Sequence, residues 1–298
     1  MRLLDVQNRR IENGFRLTRV GITGVKKPVM VRRNGRDNHL TASIDVFVDL
    51  PSSQKGSHMS RNVEIITEMI DESVRRDVKS LEELAGGICR ALLERHGYAG
   101  YAEVRMSADY FLERSTASGW STLEPFKLMA RATARRGNGL MKLVGVEVEG
   151  MTACPCAMET VTHVLEREMP ELASVRAKAP MITHNQRNVT TLMVEVPEDV
   201  EVEADDLITI VEDSLSSPTF GILKREDEAK VVLDAHRNPK FVEDVVRDIL
   251  GKLLERYRDM PDSVQVTVRS ESEESIHKHN AFAERVTTLG ELRAVEDR

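Results

Sequence analysis

The chain has 298 residues, with 42 Lys and Arg against 49 Asp and Glu, for a formal net charge of −7. Hydrophobic residues make up 41% and charged residues 31%, which excludes a disordered chain, and aromatics at 4% leave the core to aliphatic side chains. The acidic balance argues against a nucleic-acid or membrane-surface binder; no apolar run approaches the ~20 residues of a membrane span, and the absence of a secretory signal predicts a cytoplasmic location. From Phe15 onward the residues read as strand segments broken by turns. Residues 41–50 alternate, with Ala42, Ile44, Val46, Val48 and Leu50 on one face. A loop follows, then a helical stripe of Ile65, Ile66, Met69, Ile70 and Val74. Ser80 and Glu83 form a capping box for a second helix carrying Leu81, Leu84, Ala85, Ile88, Cys89, Leu92 and Leu93, which Gly97 ends. Strands are expected again at 101–108 and near 126–135.

The second half opens on a strand with Val144, Val146 and Val148, and its next strand holds Leu192, Val194 and Val196. Between them Val161, Val164 and Leu165 predict an extra helical stretch at about 157–181. Helices are expected over roughly 204–216 and from Asn238, read as N-cap with Pro239 as the first helical residue. A strand at 264–269 and a short tail close the chain. The fold class is therefore α+β. Residues 1–138 and 139–298 read as two tandem ββααββ-like modules, with antiparallel sheets, forming one unit.

Thr152-Ala-Cys-Pro-Cys156 lies where the chain leaves a strand. A thiolate there can bind a divalent metal, but extended backbone would turn Cys154 and Cys156 to opposite sides, so one is expected to ligate while the other acts differently. Cys89 sits in an apolar stripe and reads as core. Three cysteines at this spacing form no disulfide framework. His277 and His279, two apart on extended backbone, share a face suited to metal ligation or proton transfer, or else are two solvated loop histidines. His184 is a third candidate in a polar turn. His39, His96, His163 and His236 read as loop or helix-surface residues. Lys224-Arg-Glu-Asp-Glu228 reads as a solvated charge run. Glu243, in an early helical turn, suits either the helix dipole or the paired N–H donors of a guanine. Lys55, His58, Ser60 and Arg61 before a helix form a natural phosphate cradle.

Taken together, Gly21-Ile-Thr-Gly-Val-Lys-Lys-Pro28, Phe47-Val-Asp-Leu-Pro-Ser52, Lys55-Gly-Ser-His-Met-Ser-Arg-Asn62, Thr152-Ala-Cys-Pro-Cys156, His184-Asn-Gln-Arg187, Leu223-Lys-Arg-Glu-Asp-Glu228, Asn238-Pro-Lys-Phe-Val-Glu-Asp244 and Glu274-Ser-Ile-His-Lys-His279 resemble the type IB GTP cyclohydrolases, from about residue 15 to 285. The resemblance implies the tunnelling fold, with helices on one face of the sheets, and a homo-oligomer, dimer or tetramer, with interfacial active sites. It implies Cys154, His184 and Glu228 as metal ligands, with His277 or His279 as an alternative to His184. Cys154, Cys156, His277 and His279 would line the reacting centre. Glu243 would anchor the guanine, and Lys55, His58 and Arg61 would hold the triphosphate of GTP. Fe(II) comes from the family; a Cys, His and Glu set also suits Mn(II) or Zn(II). Thirty residues separate Cys154 from His184, which is similar to the archaeal branch that serves methanopterin synthesis. That branch converts GTP to 7,8-dihydroneopterin 2′,3′-cyclic phosphate, with release of formate and pyrophosphate. The bacterial branch gives the triphosphate instead. A non-catalytic nucleotide- or metal-binding protein of the same fold is the reading from another class.

Overall fold

A computed structural model describes Gln7 and residues 13–33, 36–75, 78–176 and 178–296. In chain order the elements are β1 (Leu17–Arg33), β2 (Arg36–Leu50), α1 (Met59–Arg75), α2 (Leu81–Arg95), β3 (Tyr101–Ser115), β4 (Ser121–Arg135), β5 (Asn138–Ala153) and α3 (Pro155–Glu168). A 3-10 turn at Pro170–Leu172 leads into α4 (Ala173–Arg176). Then come β6 (Asn185–Pro197), α5 (Ala204–Glu212), β7 (Ser217–Pro218), α6 (Arg225–Arg237), α7 (Val242–Arg256), β8 (Gln265–Glu273), β9 (Ala281–Thr288) and α8 (Leu289–Glu296). Among the described residues no helix is long and apolar enough to cross a membrane.

The chain divides into two compact units, the first comprising residues 1–110, 127–144 and 195–201. Its strands follow the order β1-β2-β3-β4-β5, with β1 and β3 both antiparallel to β2. The alternation of β2 is real: Ala42, Ile44, Val46, Val48 and Leu50 are all buried, and the first four form a core with Val104 of β3, Ile65, Ile66 and Ile70 of α1, and Leu84, Ile88 and Leu92 of α2. Val74, expected in the same α1 stripe, lies outside the described side chains. Strand is found after Phe15 as expected, but no turn breaks it within β1, which runs over 17 residues. The turn-like glycines instead serve close approach and a bulge. A Cβ on Gly21 would meet the Val46 carbonyl oxygen at 1.8 Å, and Gly24, at φ 72°, sits in a register shift and donates its N–H to Asp45 Oδ1. Ser80 caps α2 as expected by accepting the Glu83 N–H; the Glu83 carboxylate accepts the N–H of Lys79. Cys89 is a fully buried core thiol that donates to the Ala132 carbonyl, and burial pushes its pKa up to about 12.

The second unit comprises residues 111–126, 145–194 and 202–298. Its strands follow β5-β6-β8-β9, with β7 paired to β5. Helix α7 packs on β8 and β9 and against α5, burying Val245, Ile249 and Leu253 with Leu207, Ile208 and Val211. The extra stretch expected at 157–181 is helical, as α3, the 3-10 turn and α4. Four expectations are corrected here, one of them only in part. The helix expected to reach residue 216 stops at Glu212, because the Ser214 hydroxyl bonds the Ile210 carbonyl and Ser216 N–H turns to Met151 of β5. The charge run Lys224–Glu228 is exposed as expected except at Asp227, which is buried, and it leads into a helix, α6. The next helix starts at Val242 and not at Pro239: Asn238 ends α6, Lys240 N–H is held by the Ala153 carbonyl, and Asp244 accepts the Phe241 N–H to set the true start. Finally, His277 and His279 lie in the loop between β8 and β9, not on extended strand.

Candidate functional site

The site in the second unit begins where β5 ends. Pro155 suits the first helical position, its φ being preset and its missing N–H unneeded there, so the strand gives way to α3 at this residue. Cys154 is the N-cap, and its Sγ accepts the Ala157 N–H at 3.4 Å. After α3 and α4 the chain returns to the same spot: Thr183 Oγ1 donates to the Cys154 carbonyl at 2.7 Å, and Cys154 N–H donates to the His184 carbonyl at 3.1 Å. Two candidate ligands thirty residues apart are thus side by side. Cys154 is half-buried, whereas Cys156, the second helical residue, is exposed.

Beneath them lies a patch of buried hydroxyls that replaces aliphatic packing at the strand ends. Thr152 of β5 bonds Ser272 of β8 at 3.0 Å. Asn188 of β6 donates to Ser270 and Ser272 at 2.9 and 3.0 Å, and Thr190 donates to Asn188 Oδ1 at 2.7 Å. All five are fully buried, so the three strand ends that carry the site are fixed by mutual bonds with no charge in them. Directly after β8 comes Glu274, whose role the sequence reading missed. Its side chain is 10% exposed; Oε1 accepts from Gln186 Nε2 at 3.4 Å, while Oε2 lies 3.7 Å from His184 Nδ1 and has no hydrogen-bond partner. Ser275 Oγ lies 3.4 Å from the same ring nitrogen. With Nδ1 turned to these oxygens, Nε2 is the nitrogen of His184 left for another partner. The His277 ring stands edge-on to His184 at 6.5 Å and stacks on His279 at 5.1 Å. The loop therefore keeps both imidazoles together although it is not extended.

Glu228 is exposed in the first turn of α6. Its neighbour Asp227 is not solvated: it is buried and accepts from Ser118 Oγ, Ser118 N–H and Lys224 N–H, and the Ser118 hydrogen bond first of all holds its carboxyl below the usual range. Glu243 lies in the first turn of α7, exposed and without an ion-pair partner among the described residues. A half-buried thiol and an oriented imidazole are donor types that a divalent metal takes, and the orphaned Glu274 Oε2 stands behind His184 where a ligating imidazole would need an outer acceptor. Among the described residues no three His, Cys, Asp or Glu groups stand close enough to hold an ion, and Glu228 is not gathered with the other two.

The basic loop belongs to the first unit. Lys55 N–H and Gly56 N–H both donate to the Gln7 carbonyl, and Arg61 N–H closes a turn on the His58 carbonyl at 3.1 Å. Lys55 is exposed, and neither its ammonium nor the Arg61 guanidinium pairs with a carboxylate among the described residues. His96, expected in a loop or on a helix surface, does lie just past the end of α2 but is fully buried beside this segment, because its ring nitrogens find partners in Asn62 and Tyr98. His163 is exposed, and His236 is half-buried against the Val232 and Thr183 carbonyls.

Among solved structures the chain is similar to uricase from Arthrobacter globiformis, with a TM-score of 0.55 over 97% of this chain and 96% of that one at 7% identity. It is also similar to a uricase from Bacillus fastidious, at 0.50 over 94% and 96% with 9% identity. At such identity the likeness concerns the fold alone, and it makes this chain a tunnelling-fold protein, α+β with antiparallel sheet, as expected. The chain belongs to the type I GTP cyclohydrolase folE2 family, whose model matches residues 3–283, and is therefore an enzyme. A protein of Methanobrevibacter smithii named GTP cyclohydrolase MptA is 43% identical over 98% of this chain and 97% of its own length. One of the same name from Methanothermobacter thermautotrophicus is 44% identical over 97% and 94%.

Proposed function

We propose that this GTP cyclohydrolase opens the guanine imidazole ring of GTP by hydrolysis at C8, releasing formate, and gives 7,8-dihydroneopterin 2′,3′-cyclic phosphate and pyrophosphate for tetrahydromethanopterin synthesis in the cytoplasm. The observation that carries the reading is the corner where Cys154 and His184 are bonded back to back beside Glu274 and the stacked His277 and His279, in a chain of this family. Cys154, His184 and Glu228 would hold Fe(II), with Mn(II) or Zn(II) also suited to the donors. Bound there, the metal supplies the acidity that activates water at neutral pH.

This chain's residues do the rest. Glu274 faces His184 Nδ1, fixing the proton there and presenting Nε2. Glu243 accepts the ring N–H and exocyclic amine of guanine, which sets C8 in place. After water adds at C8, His277 or His279 gives a proton to one imidazole nitrogen as its bond to C8 breaks, which leaves a formamide; a second water then adds to that carbon, and its bond to the other nitrogen breaks as that nitrogen takes a proton and formate leaves. Cys156, exposed at the start of α3, relays a proton at that centre. Lys55, His58 and Arg61 hold the triphosphate, and a homo-oligomer with interfacial sites lets one copy serve another's site.

The experiment is anaerobic incubation of the protein with GTP and Fe(II), with products followed by mass. Formate, pyrophosphate and a cyclic phosphate are expected. A product retaining three phosphates would move the enzyme to the bacterial type of reaction, and no formate would leave a binding-only protein.

A further inference from the structure

We propose that His96, acting with Tyr98 and Asn62, is the positioning residue for the basic loop Lys55–Arg61, holding it ready to receive the polyphosphate chain of the nucleotide. This rests on the reading of that loop as the phosphate site. His96 follows α2, and its N–H is held by the Leu92 carbonyl at 2.9 Å. Its ring then reaches into the loop from both sides. Nε2 lies 2.7 Å from Asn62 Oδ1, in the first turn of α1 and next to Arg61. Nδ1 lies 3.0 Å from Tyr98 Oη, which in turn lies 2.9 Å from Ser57 Oγ and accepts the His58 N–H. One imidazole and one phenol thus tie residues 57 and 58 to residue 62, and the segment bearing His58 and Arg61 is what lies between those ties.

The direction of the bonds follows from the charge of the ring. Burial above all, and then Arg61, His58 and Arg95, push His96 down to about 4, so the imidazole is neutral and has one N–H and one lone pair. Asn62 Oδ1 can only accept, which places the proton on Nε2 and leaves Nδ1 to accept from Tyr98. The Tyr98 hydroxyl also stands as donor to Ser57 Oγ, so its one hydrogen is shared between Nδ1 and Ser57, and its oxygen accepts the His58 amide. A neutral anchor suits this place, since a second cation here would compete with Lys55 and Arg61 for the same anion. The Ser57, Asn62 and His96 side chains are buried, at 5%, 0% and 0% exposure, and Tyr98 is half-buried between them. A cradle fixed before binding spares the nucleotide the cost of ordering it.

The test uses the full chain and inorganic triphosphate as probe, with GTP kinetics on the Fe(II)-loaded enzyme beside it. Tyr98→Phe keeps the ring and removes only the hub oxygen. It is expected to weaken triphosphate binding about tenfold and to raise KM for GTP by a similar factor, the scale of one or two buried hydrogen bonds, with kcat within about twofold. Lys55→Ala and Arg61→Ala are run alongside. If Arg61→Ala weakens triphosphate binding while Tyr98→Phe binds it like the parent, the positioning role is wrong and the phosphate loop stands. If Lys55→Ala and Arg61→Ala both bind triphosphate normally, the phosphate reading itself fails. A fall in kcat equal to the rise in KM would make Tyr98 a merely structural residue and would also overturn the proposal. Should Tyr98→Phe not fold, Ser57→Ala breaks the same linkage from the loop side, with an expected loss of about threefold in triphosphate affinity; no loss there counts against it equally.

Discussion

Acid should loosen the first unit through one residue. His96 is fully buried and its pKa is pushed down to about 4, against an ordinary 6.5, because burial removes water from its charged form and because the Arg61, His58 and Arg95 side chains facing it disfavour a further positive charge. Tyr98, the remaining titratable neighbour, is raised chiefly by burial and stays neutral across the acid range. Between pH 6.5 and 4 the unfolded chain therefore binds a proton that the folded chain refuses, so the stabilisation is complete above 6.5 and is lost as pH falls through that window. From pH 7 to 4.5 the linkage relation gives a loss of about 2 kcal/mol. The assay is urea unfolding of the parent and of His96→Gln at steps across that range. At pH 7 the variant should be the weaker protein, since a buried network has lost its centre. On acidification the two should converge by about 2 kcal/mol, every other titrating group being common to both. Parallel curves would mean that His96 carries no such penalty and that the neutral ring assigned above is wrong.

Cys154→Ala is expected to leave the purified protein without bound iron, read by elemental analysis, and full occupancy would remove the thiol from the donor set. Glu243→Ala should weaken GTP binding by about 1.5 to 3 kcal/mol, the scale of hydrogen bonds to a charged group, with metal content unchanged; normal affinity in calorimetry would end its role as the guanine anchor. Glu274→Gln removes the charge behind His184 and should lower metal affinity about 10- to 100-fold in competition with a chelator, an unchanged constant being the refuting result. Asp49 is buried and accepts from Gly100 N–H, Tyr101 N–H and Arg16 at 2.7, 2.8 and 2.8 Å. Asp49→Ala should therefore cost about 3 kcal/mol in urea unfolding by stranding two amides, and an unmoved midpoint would show that water replaces the carboxylate.

What could be read from the residues was whatever repeats along the chain. The β2 alternation and the Ser80 capping box are local patterns, and both are present as expected. Helix α6 was not legible because it buries only Asp227 and Ala235; it has no apolar stripe to see, and its start depends on Asp227 reaching Ser118, 109 residues away. The Asn238-Pro239 pair has the letters of a helix start, yet Asn238 closes α6 and bonds Leu215, and Lys240 beyond it is held by the Ala153 carbonyl, so the next helix starts later. His96 and Glu274 share a reason for being overlooked. Each has a partner far off in sequence, Asn62 for one and His184 for the other, and no periodicity links such positions. The inward-facing Ser270 and Ser272 continue the alternation of Val264, Val266 and Val268, so polarity disguised two core positions.

The neck at Cys154 has a consequence for how such chains can diverge. Because Thr183 and His184 fasten the return of the chain to Cys154 itself, everything between them hangs from a closed ring whose circumference the site does not sense. Doubling the length of such a loop costs only about 0.6 kcal/mol in closure entropy. Helices can be added to or removed from this excursion while the thiol and imidazole keep their places, so this is where lineages are free to graft new surface onto unchanged chemistry.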